Sequence, residues 1–165
     1  MEHNELETLY CKYYRSLFLY ALSLTKSRAD AEDLVADTFI KAYLSYTSGK
    51  GDILPWMMVV LKRIFIDQYR RRQKLADDGE VLLQWVEAPQ DVLADYIRSE
   101  QQRWIYSQIY ALPQPEREVM LLSAAGRVSD QEIAKIVNLT VGHVRVMKHR
   151  VRKKLAELAK KEGYL

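Results

Sequence analysis

Eight basic or potentially basic side chains lie between Thr140 and Leu155, in the stretch TVGHVRVMKHRVRKKL. Lysine and arginine neutralise phosphates, arginine can donate two hydrogen bonds to a guanine edge, and valine can contact a thymine methyl group. The apolar residues of the stretch recur at helical spacing. The stretch therefore predicts a basic helix that could lie on a membrane, dock into a partner protein or enter a DNA groove.

The two faces of this predicted helix differ in character. At about 100° per residue, Val151 and Leu155 lie within about 20° of Val144, so these three residues are expected to pack on a core. Lys148 lies only about 40° from the same centre, so it must extend along its stem to reach water or the helix must turn slightly. If the helix enters a DNA groove, the exposed residues near its N-terminus would lie nearest the bases and those near its C-terminus nearest the phosphates. The residues expected to contact DNA are Thr140, His143, Arg145, Val146, His149, Arg150, Lys153 and Lys154.

The preceding residues favour DNA over a membrane as the partner of this helix. Ser129 and Glu132 have capping-box spacing for a helix over SDQEIAKIV, NLT then makes a short turn, and Thr140 can cap the basic helix. This order is the helix-turn-helix pattern, whose second helix enters the major groove. A membrane-surface helix is disfavoured because the apolar stripe has no aromatic residue and the preceding helix supplies a protein partner.

Three long periodic segments occupy the first 72 residues and predict three helices. The first has apolar residues at three- and four-residue steps from Leu6 to Leu24. The second begins at Ser27 and leaves acidic residues on its outer face. The third, LPWMMVVLKRIFIDQYRRRQK, is apolar in its first half and basic at its end. Its apolar residues expected to close a core over the first two helices are Trp56, Val60, Ile64 and Phe65.

Charge is distributed unevenly along the 165 residues. The net charge is +2 over residues 1–72, −5 over 73–118 and +6 over 119–165. This asymmetry predicts a mixed first module, an acidic connector and a basic end that binds a ligand such as nucleic acid. The connector contains the apolar cluster VLLQWV, so part of it is expected to dock on another surface. A helix is then expected from near Val92 to just before Leu112-Pro113.

Composition excludes several other classes of protein. Cys11 is the only cysteine, which rules out an intrachain disulfide or a multi-cysteine zinc site, and no metal or cofactor is expected. The chain has no phosphate-binding glycine loop and no Cys/His nucleophile pair, so neither an enzyme nor a small-molecule substrate is expected. An apolar signal core and a run of about 18 apolar residues are both missing, which predicts a cytoplasmic setting.

Several separated stretches together resemble one family, the extracytoplasmic-function (ECF) group of bacterial RNA polymerase sigma factors. DAEDLVADTF (30–39) is similar to the family's region 2.2, and PWMMVVLKRIFIDQYRRRQK (55–74) to regions 2.3 and 2.4. LPQPEREVMLL (112–122) followed by SDQEIAKIVNLTVGHVRVMKHRVRKKL (129–155) resembles region 4. The order, spacing and total length also match, so the resemblance covers nearly the whole chain.

The resemblance implies an all-α protein with two small helical domains. The sigma-2 domain is expected over residues 1–74, an acidic linker over 75–98, and a sigma-4 domain with the helix-turn-helix over 99–165. Such a subunit would bind core polymerase, recognise promoters and help open the duplex. An anti-sigma factor is a further implied partner, and in many members it is anchored in the membrane and would hold the protein there.

The resemblance also implies roles for particular residues of the first three helices. Residues 45–52 would form a pocket for an extruded base, and the basic helix near the C-terminus would read the minus-35 element. Contacts with the clamp helices of the largest polymerase subunit are expected at Asp30, Glu32, Asp33, Asp37 and Lys41. Contacts with the melted minus-10 strand are expected at Lys62, Arg63, Asp67, Arg70, Arg71 and Arg72, where Asp67 would orient neighbouring arginines.

A helix-turn-helix regulator that is not a polymerase subunit is the alternative function. It accounts for the C-terminal module but leaves the acidic second helix and the basic third helix unexplained. The chain also departs from the family's common residues at Ala36 (often Gln), at Lys62-Arg63 (often Arg-Asn) and at Val146-Met147-Lys148 (often Ser-Arg-Leu). The last departure lies in the reading helix, so the promoter sequence cannot be carried over from the family.

Overall fold

The computed structural model describes residues 1–46, 52–76, 79 and 83–165. Within these residues, all helices are α-helices and there are no β-strands. The predicted all-α class is confirmed. The chain divides into two compact units, Met1–Glu87 and Ala88–Leu165. No helix in the described ranges combines the length and the apolar character needed to cross a membrane. The helices are α1 (His3–Thr25), α2 (Arg28–Ser45), α3 (Ile53–Leu75), α4 (Pro89–Tyr96), α5 (Glu100–Tyr110), α6 (Gln114–Ala124), α7 (Asp130–Val137) and α8 (Val141–Lys161).

Helix α1 forms the centre of the first unit. Every residue from Leu17 to Thr25 is buried, including those on the side opposite the predicted apolar face. The buried hydroxyls of Ser23 and Thr25 are satisfied locally, because Ser23 donates to the carbonyl of Tyr20 at 2.6 Å and Thr25 donates to that of Ser27 at 3.1 Å. The helix ends at Lys26, which adopts the left-handed conformation with φ of 56°.

Helices α2 and α3 pack on α1 through one face each. The side chain of Ser27 caps α2 by accepting from the backbone N–H of Asp30, and the inner face buries Leu34 and Val35. Helix α3 buries a stripe that includes Leu54, Met57, Met58, Val60 and Leu61.

The predicted core residues of α3 were only partly right. Val60 is buried, whereas Trp56, Ile64 and Phe65 are half-buried. Trp56 lies about 140° from Leu61 around the helix and packs against Tyr46, with ring centroids 5.2 Å apart. The centre of the buried stripe is therefore set by Met57, Met58 and Leu61, which face α1 and α2.

The end of the connector docks on the corner between α1 and α2, as its apolar cluster predicted. Lys26 Nζ donates to the carbonyl of Leu83 at 3.1 Å, and the N–H of Val86 donates to the carbonyl of Lys26 at 3.0 Å. Arg28 forms an ion pair with Glu87 at 3.4 Å. These contacts join residues 83–87 to the first unit.

The single helix predicted from near Val92 to Leu112 is wrong, because the structure has α4 and α5 there. Ser99 caps α5 by accepting from the N–H of Gln102 at 3.3 Å. Arg103 Nη1 donates to the carbonyls of Ile97 and Arg98 at 2.8 and 2.7 Å. The break is therefore stabilised by a side-chain cap and by an arginine that binds the carbonyls which a continuous helix would have paired.

Helices α7 and α8 form the predicted helix-turn-helix, and α6 packs on both. The capping box of Ser129 and Glu132 starts α7, Asn138 makes the turn in the left-handed conformation, and the hydroxyl of Thr140 accepts from the N–H of His143 at 3.1 Å. The core of this motif includes Val119, Leu122, Ile133, Val144 and Val151.

An ion pair joins the start of α7 to α8. Lys148 Nζ lies 2.7 Å from Asp130 Oδ1, and the two side chains are only 16% and 23% exposed. The sequence predicted a lysine that must reach solvent; instead a carboxylate meets it at the edge of the core. The hydrogen bond from Lys148 lowers the pKa of Asp130 below its ordinary value of 3.8, partial burial opposes this, and Arg145 also lowers it.

Replacing Asp130 by Asn should lower the free energy of unfolding by about 1 kcal/mol at pH 7, because the ion pair is lost. Since the pKa of Asp130 is depressed by folding, its contribution is complete above about pH 5 and is lost as the pH falls through the folded-state pKa. Urea unfolding of both proteins from pH 7 to pH 3, followed by circular dichroism, should give curves that converge at the acid end. A difference that stays constant down to pH 3 would contradict the assignment.

Candidate nucleic-acid interfaces

The basic helix α8 presents its predicted contact residues to solvent. Val144 and Val151 are buried, as predicted, whereas the third predicted core residue, Leu155, is only half-buried. The structure places eight predicted residues on the exposed surface of one helix and its cap: Thr140, His143, Arg145, Val146, His149, Arg150, Lys153 and Lys154.

The basic residues of α8 differ in what they contact. Arg145 Nε lies 3.4 Å from Asp130 Oδ2, and 62% of the arginine side chain remains exposed. Arg152 Nη2 donates to Ser123 Oγ of α6 at 3.4 Å. Arg145 and Arg152 therefore each contact a side chain of a neighbouring helix and are also exposed to solvent.

Asp130 is a site residue that the sequence did not identify. It follows the cap residue Ser129, where an acidic side chain is explained by the helix dipole alone. One signal could have revealed it: Lys148 lies near the core-facing centre of α8, and a lysine there needs a carboxylate within reach.

The predicted minus-10 residues do not all lie on the same side of α3. Arg63, Asp67 and Arg70 are exposed and lie within about 60° of one another around the helix. Arg71 is exposed at the edge of this arc, and Lys62 is half-buried.

Arg72 lies apart from this arc. It points toward α2, where its Nη2 lies 3.5 Å from Asp30 Oδ2. Both side chains border a groove of about 480 Å³ between α2 and α3. The structure therefore joins Asp30 and Arg72, which the sequence had given to two different surfaces.

The predicted pocket at residues 45–52 falls largely outside the described residues, which omit 47–51. The described residue Asp52 caps α3 by accepting from the N–H of Leu54 at 3.0 Å. It also accepts from the hydroxyl of Tyr13 at 3.0 Å, which ties the start of α3 to α1.

Helix α2 presents the predicted acidic residues outward and adds apolar ones that the sequence did not identify. Glu32, Asp33, Asp37 and Lys41 are exposed, and Asp30 is half-buried. In the described part of the chain, these carboxylates belong to no group of three His, Cys, Asp or Glu side chains that could hold a metal ion.

The outer stripe of α2 is mixed in character. Ile40 and Leu44 are 56% and 74% exposed, and they lie within about 60° of Asp33 and Asp37 around the helix. Tyr43 flanks the stripe and is 44% exposed. A helical wheel drawn over the whole of α2 would have placed Ile40 and Leu44 beside the acidic residues, because they lie opposite the buried Leu34 and Val35.

Known proteins match both units of the chain. Residues 9–75 match the family described as Sigma-70 region 2, and residues 102–155 match that described as Sigma-70, region 4. The RNA polymerase sigma factor YlaC of Bacillus subtilis is 29% identical, with 94% of this chain and 92% of that protein covered. The ECF RNA polymerase sigma-E factor of Haemophilus influenzae is 30% identical, with 72% of this chain and 69% of that protein covered.

A solved structure has a similar fold. The sigma factor RpoE from Bartonella quintana, crystallised with the anti-sigma factor NepR, gives a TM-score of 0.68 at 26% identity, covering 96% of this chain and 98% of that one. The region 2 match spans most of α1 and all of α2 and α3, and the region 4 match runs from α5 into α8. The matches support a polymerase subunit over an independent helix-turn-helix regulator. The chain belongs to the extracytoplasmic-function family of RNA polymerase sigma factors.

Proposed function

We propose that this sigma factor binds core RNA polymerase through its first unit, recognises promoter DNA with both units and helps to open the duplex. The observation that carries the proposal is that one chain exposes an acidic and apolar stripe on α2 and two basic surfaces on α3 and α8. The proposed sigma-2 domain is residues 1–74 and the proposed sigma-4 domain is 99–165; the proposed linker, 75–98, divides between the two compact units after Glu87. The polymerase supplies the active site, so the protein itself is not an enzyme.

The outer stripe of α2 is the proposed surface for the polymerase. Apolar side chains that are half or more exposed gain about 25 cal/mol for each Å² of apolar area that a partner covers. Ile40 and Leu44 supply that area, and Asp33 and Asp37 supply charge that favours a basic partner surface and fast association. Glu32 and Lys41 flank the stripe. Asp30 contributes at the edge, where it also pairs with Arg72 of α3.

The outward arc of α3 is the proposed track for the melted minus-10 strand. Single-stranded DNA needs positive charge along its phosphates and surfaces for its unstacked bases. Arg63, Arg70 and Arg71, together with Lys62, supply the charge, and Asp67 lies between arginines that it can orient. Arg72 pairs with Asp30 through Nη2, and half of its side chain remains exposed beside the track.

The exposed face of α8 is the proposed reader of the minus-35 element. Arg145, His143 and Val146 lie in its first two turns, near the end of a recognition helix that approaches base edges. Arg150, Lys153 and Lys154 lie farther along, where phosphates would be, and His149 lies between the two groups. Thr140 caps the helix and can donate its hydroxyl to a phosphate.

An anti-sigma factor is the proposed regulator. The Bartonella quintana structure is a complex of a sigma factor with an anti-sigma factor. The exposed apolar residues of α2 would be protected when such a partner covers them. We propose that the protein acts in the cytoplasm and that a membrane-anchored anti-sigma factor would hold it at the membrane.

Run-off transcription tests the proposed function. Purified protein mixed with bacterial core polymerase should produce transcripts with defined start positions from a subset of a random promoter library, because the two DNA surfaces select templates. Sequencing of transcripts and templates measures the selection, and core polymerase alone is the control. Identical transcript patterns with and without the protein would overturn the proposal.

Replacing Leu44 by Ala should weaken binding to core polymerase about tenfold, because a largely exposed leucine loses the apolar area that the polymerase would cover. Fluorescence titration of labelled protein with core polymerase measures the dissociation constant. The matched control is Leu75→Ala, which changes an 83% exposed leucine at the end of α3. Equal affinities for the two variants would remove Leu44 from the polymerase surface.

Replacing Lys153 by Ala should weaken promoter binding on every sequence and flatten the salt dependence, because one phosphate contact is lost. The slope of log Kobs against log salt concentration should fall by about one. The matched control is Arg152→Ala, which removes the same charge one residue away from a side chain turned toward Ser123. If both variants give the same slope, Lys153 makes no phosphate contact.

A further inference from the structure

We infer that Asp130 is a specificity-determining residue for promoter recognition, because its carboxylate positions Arg145 for contact with a base edge. The inference rests on the proposed function, in which α8 reads the minus-35 element. Asp130 itself lies on α7 and is not proposed to touch DNA. It is a positioning residue that acts through Arg145.

The carboxylate of Asp130 occupies a fixed position at the start of α7. The capping box holds the backbone there, with Ser129 Oγ accepting from the N–H of Glu132 at 3.1 Å and Glu132 Oε1 accepting from the N–H of Ser129 at 3.2 Å. The two carboxylate oxygens then have separate partners on α8. Oδ1 accepts from Lys148 at 2.7 Å, and Oδ2 accepts from Arg145 at 3.4 Å.

The contact leaves the recognition edge of Arg145 available. A guanidinium has five N–H donors in a planar fork, and Asp130 meets the Nε side of that fork. The two terminal nitrogens can then donate to O6 and N7 of one guanine. Most of the arginine side chain is solvent-exposed, so restricting it in advance lowers the entropy that binding would otherwise cost.

Lys148 makes this arrangement compatible with DNA. An uncompensated carboxylate beside the major groove would repel phosphates, but Lys148 balances its charge at the edge of the core. The carboxyl of Asp130 is ionised at neutral pH like any aspartate, and the hydrogen bond from Lys148 lowers its pKa further. The family often has leucine where this chain has Lys148, so the paired lysine and aspartate form a feature of this chain's own residues.

This geometry predicts a response that a merely structural residue would not produce. Removing Asp130 leaves the protein with one more net positive charge, so attraction to DNA of any sequence should stay equal or rise. Discrimination at the base pair read by Arg145 should fall, because the arginine is no longer oriented. A residue needed only for folding would instead lower binding to all sequences alike.

The experiment uses the full chain with core polymerase on a promoter library randomised over the minus-35 element, with sequencing of the transcribed templates. Arg145→Ala should reduce the preference at one or two base pairs about tenfold, the discrimination expected of a bidentate contact. Asp130→Ala should reduce the preference at the same pairs about threefold, since an unguided arginine still binds part of the time. The double variant should match Arg145→Ala.

The matched control is Glu157→Ala, which removes an equal charge from an exposed position on α8 and should leave every preference unchanged. Asp130→Asn, which keeps the shape of the side chain, serves as a second variant, and circular dichroism checks that each protein is folded.

Three results would overturn the inference. These are unchanged preferences in both folded Asp130 variants, a loss at base pairs that Arg145→Ala does not affect, and additive losses in the double variant. Failure of the wild-type protein to select any promoter is a different outcome, because it would overturn the proposed function itself.

Discussion

Burial of one face of α2, of α3 and of α8 against neighbouring helices is the constraint on which the proposed surfaces depend. An α-helix repeats every 3.6 residues, so fixing which residues are buried also fixes which residues face away. Burying Leu34 and Val35 directs Asp33 and Leu44 of α2 outward. Val144 and Val151 do the same for the reading face of α8. A change that rotated either helix would therefore move its entire contact surface, even if every contact residue were kept.

Ion pairs between helices refine this arrangement at two comparable places. Asp30 lies in the first turn of α2 and holds Arg72 of α3, and Asp130 lies in the first turn of α7 and holds Lys148 and Arg145 of α8. A carboxylate is favoured at a helix N-terminus by the helix dipole. The same carboxylate can therefore stabilise its own helix and orient a basic side chain on a neighbouring helix that is proposed to bind DNA.

The sequence alone determined the class of the protein, because its strongest signals are local. The capping box of Ser129 and Glu132, the cap at Thr140 and the valine stripe of α8 act within a few residues of one another, and all are present in the structure. The sigma factor family followed from motifs whose order and spacing can be read directly. The exposed residues of α8 and of the acidic face of α2 also followed from periodicity alone, although their roles in binding remain predictions.

Only the tertiary structure decided how residues distant in the sequence meet. Asp130 and Lys148 are 18 residues apart on different helices, and no periodic pattern relates them. Trp56 and Ile64 are half-buried because the direction of the core is set by where α1 and α2 lie, which the pattern of α3 does not contain. The break between α4 and α5 is stabilised by the cap at Ser99 and by Arg103, which donates to the carbonyls of Ile97 and Arg98. Helical periodicity specifies a face, but the partner of each side chain on that face depends on the packing of other helices.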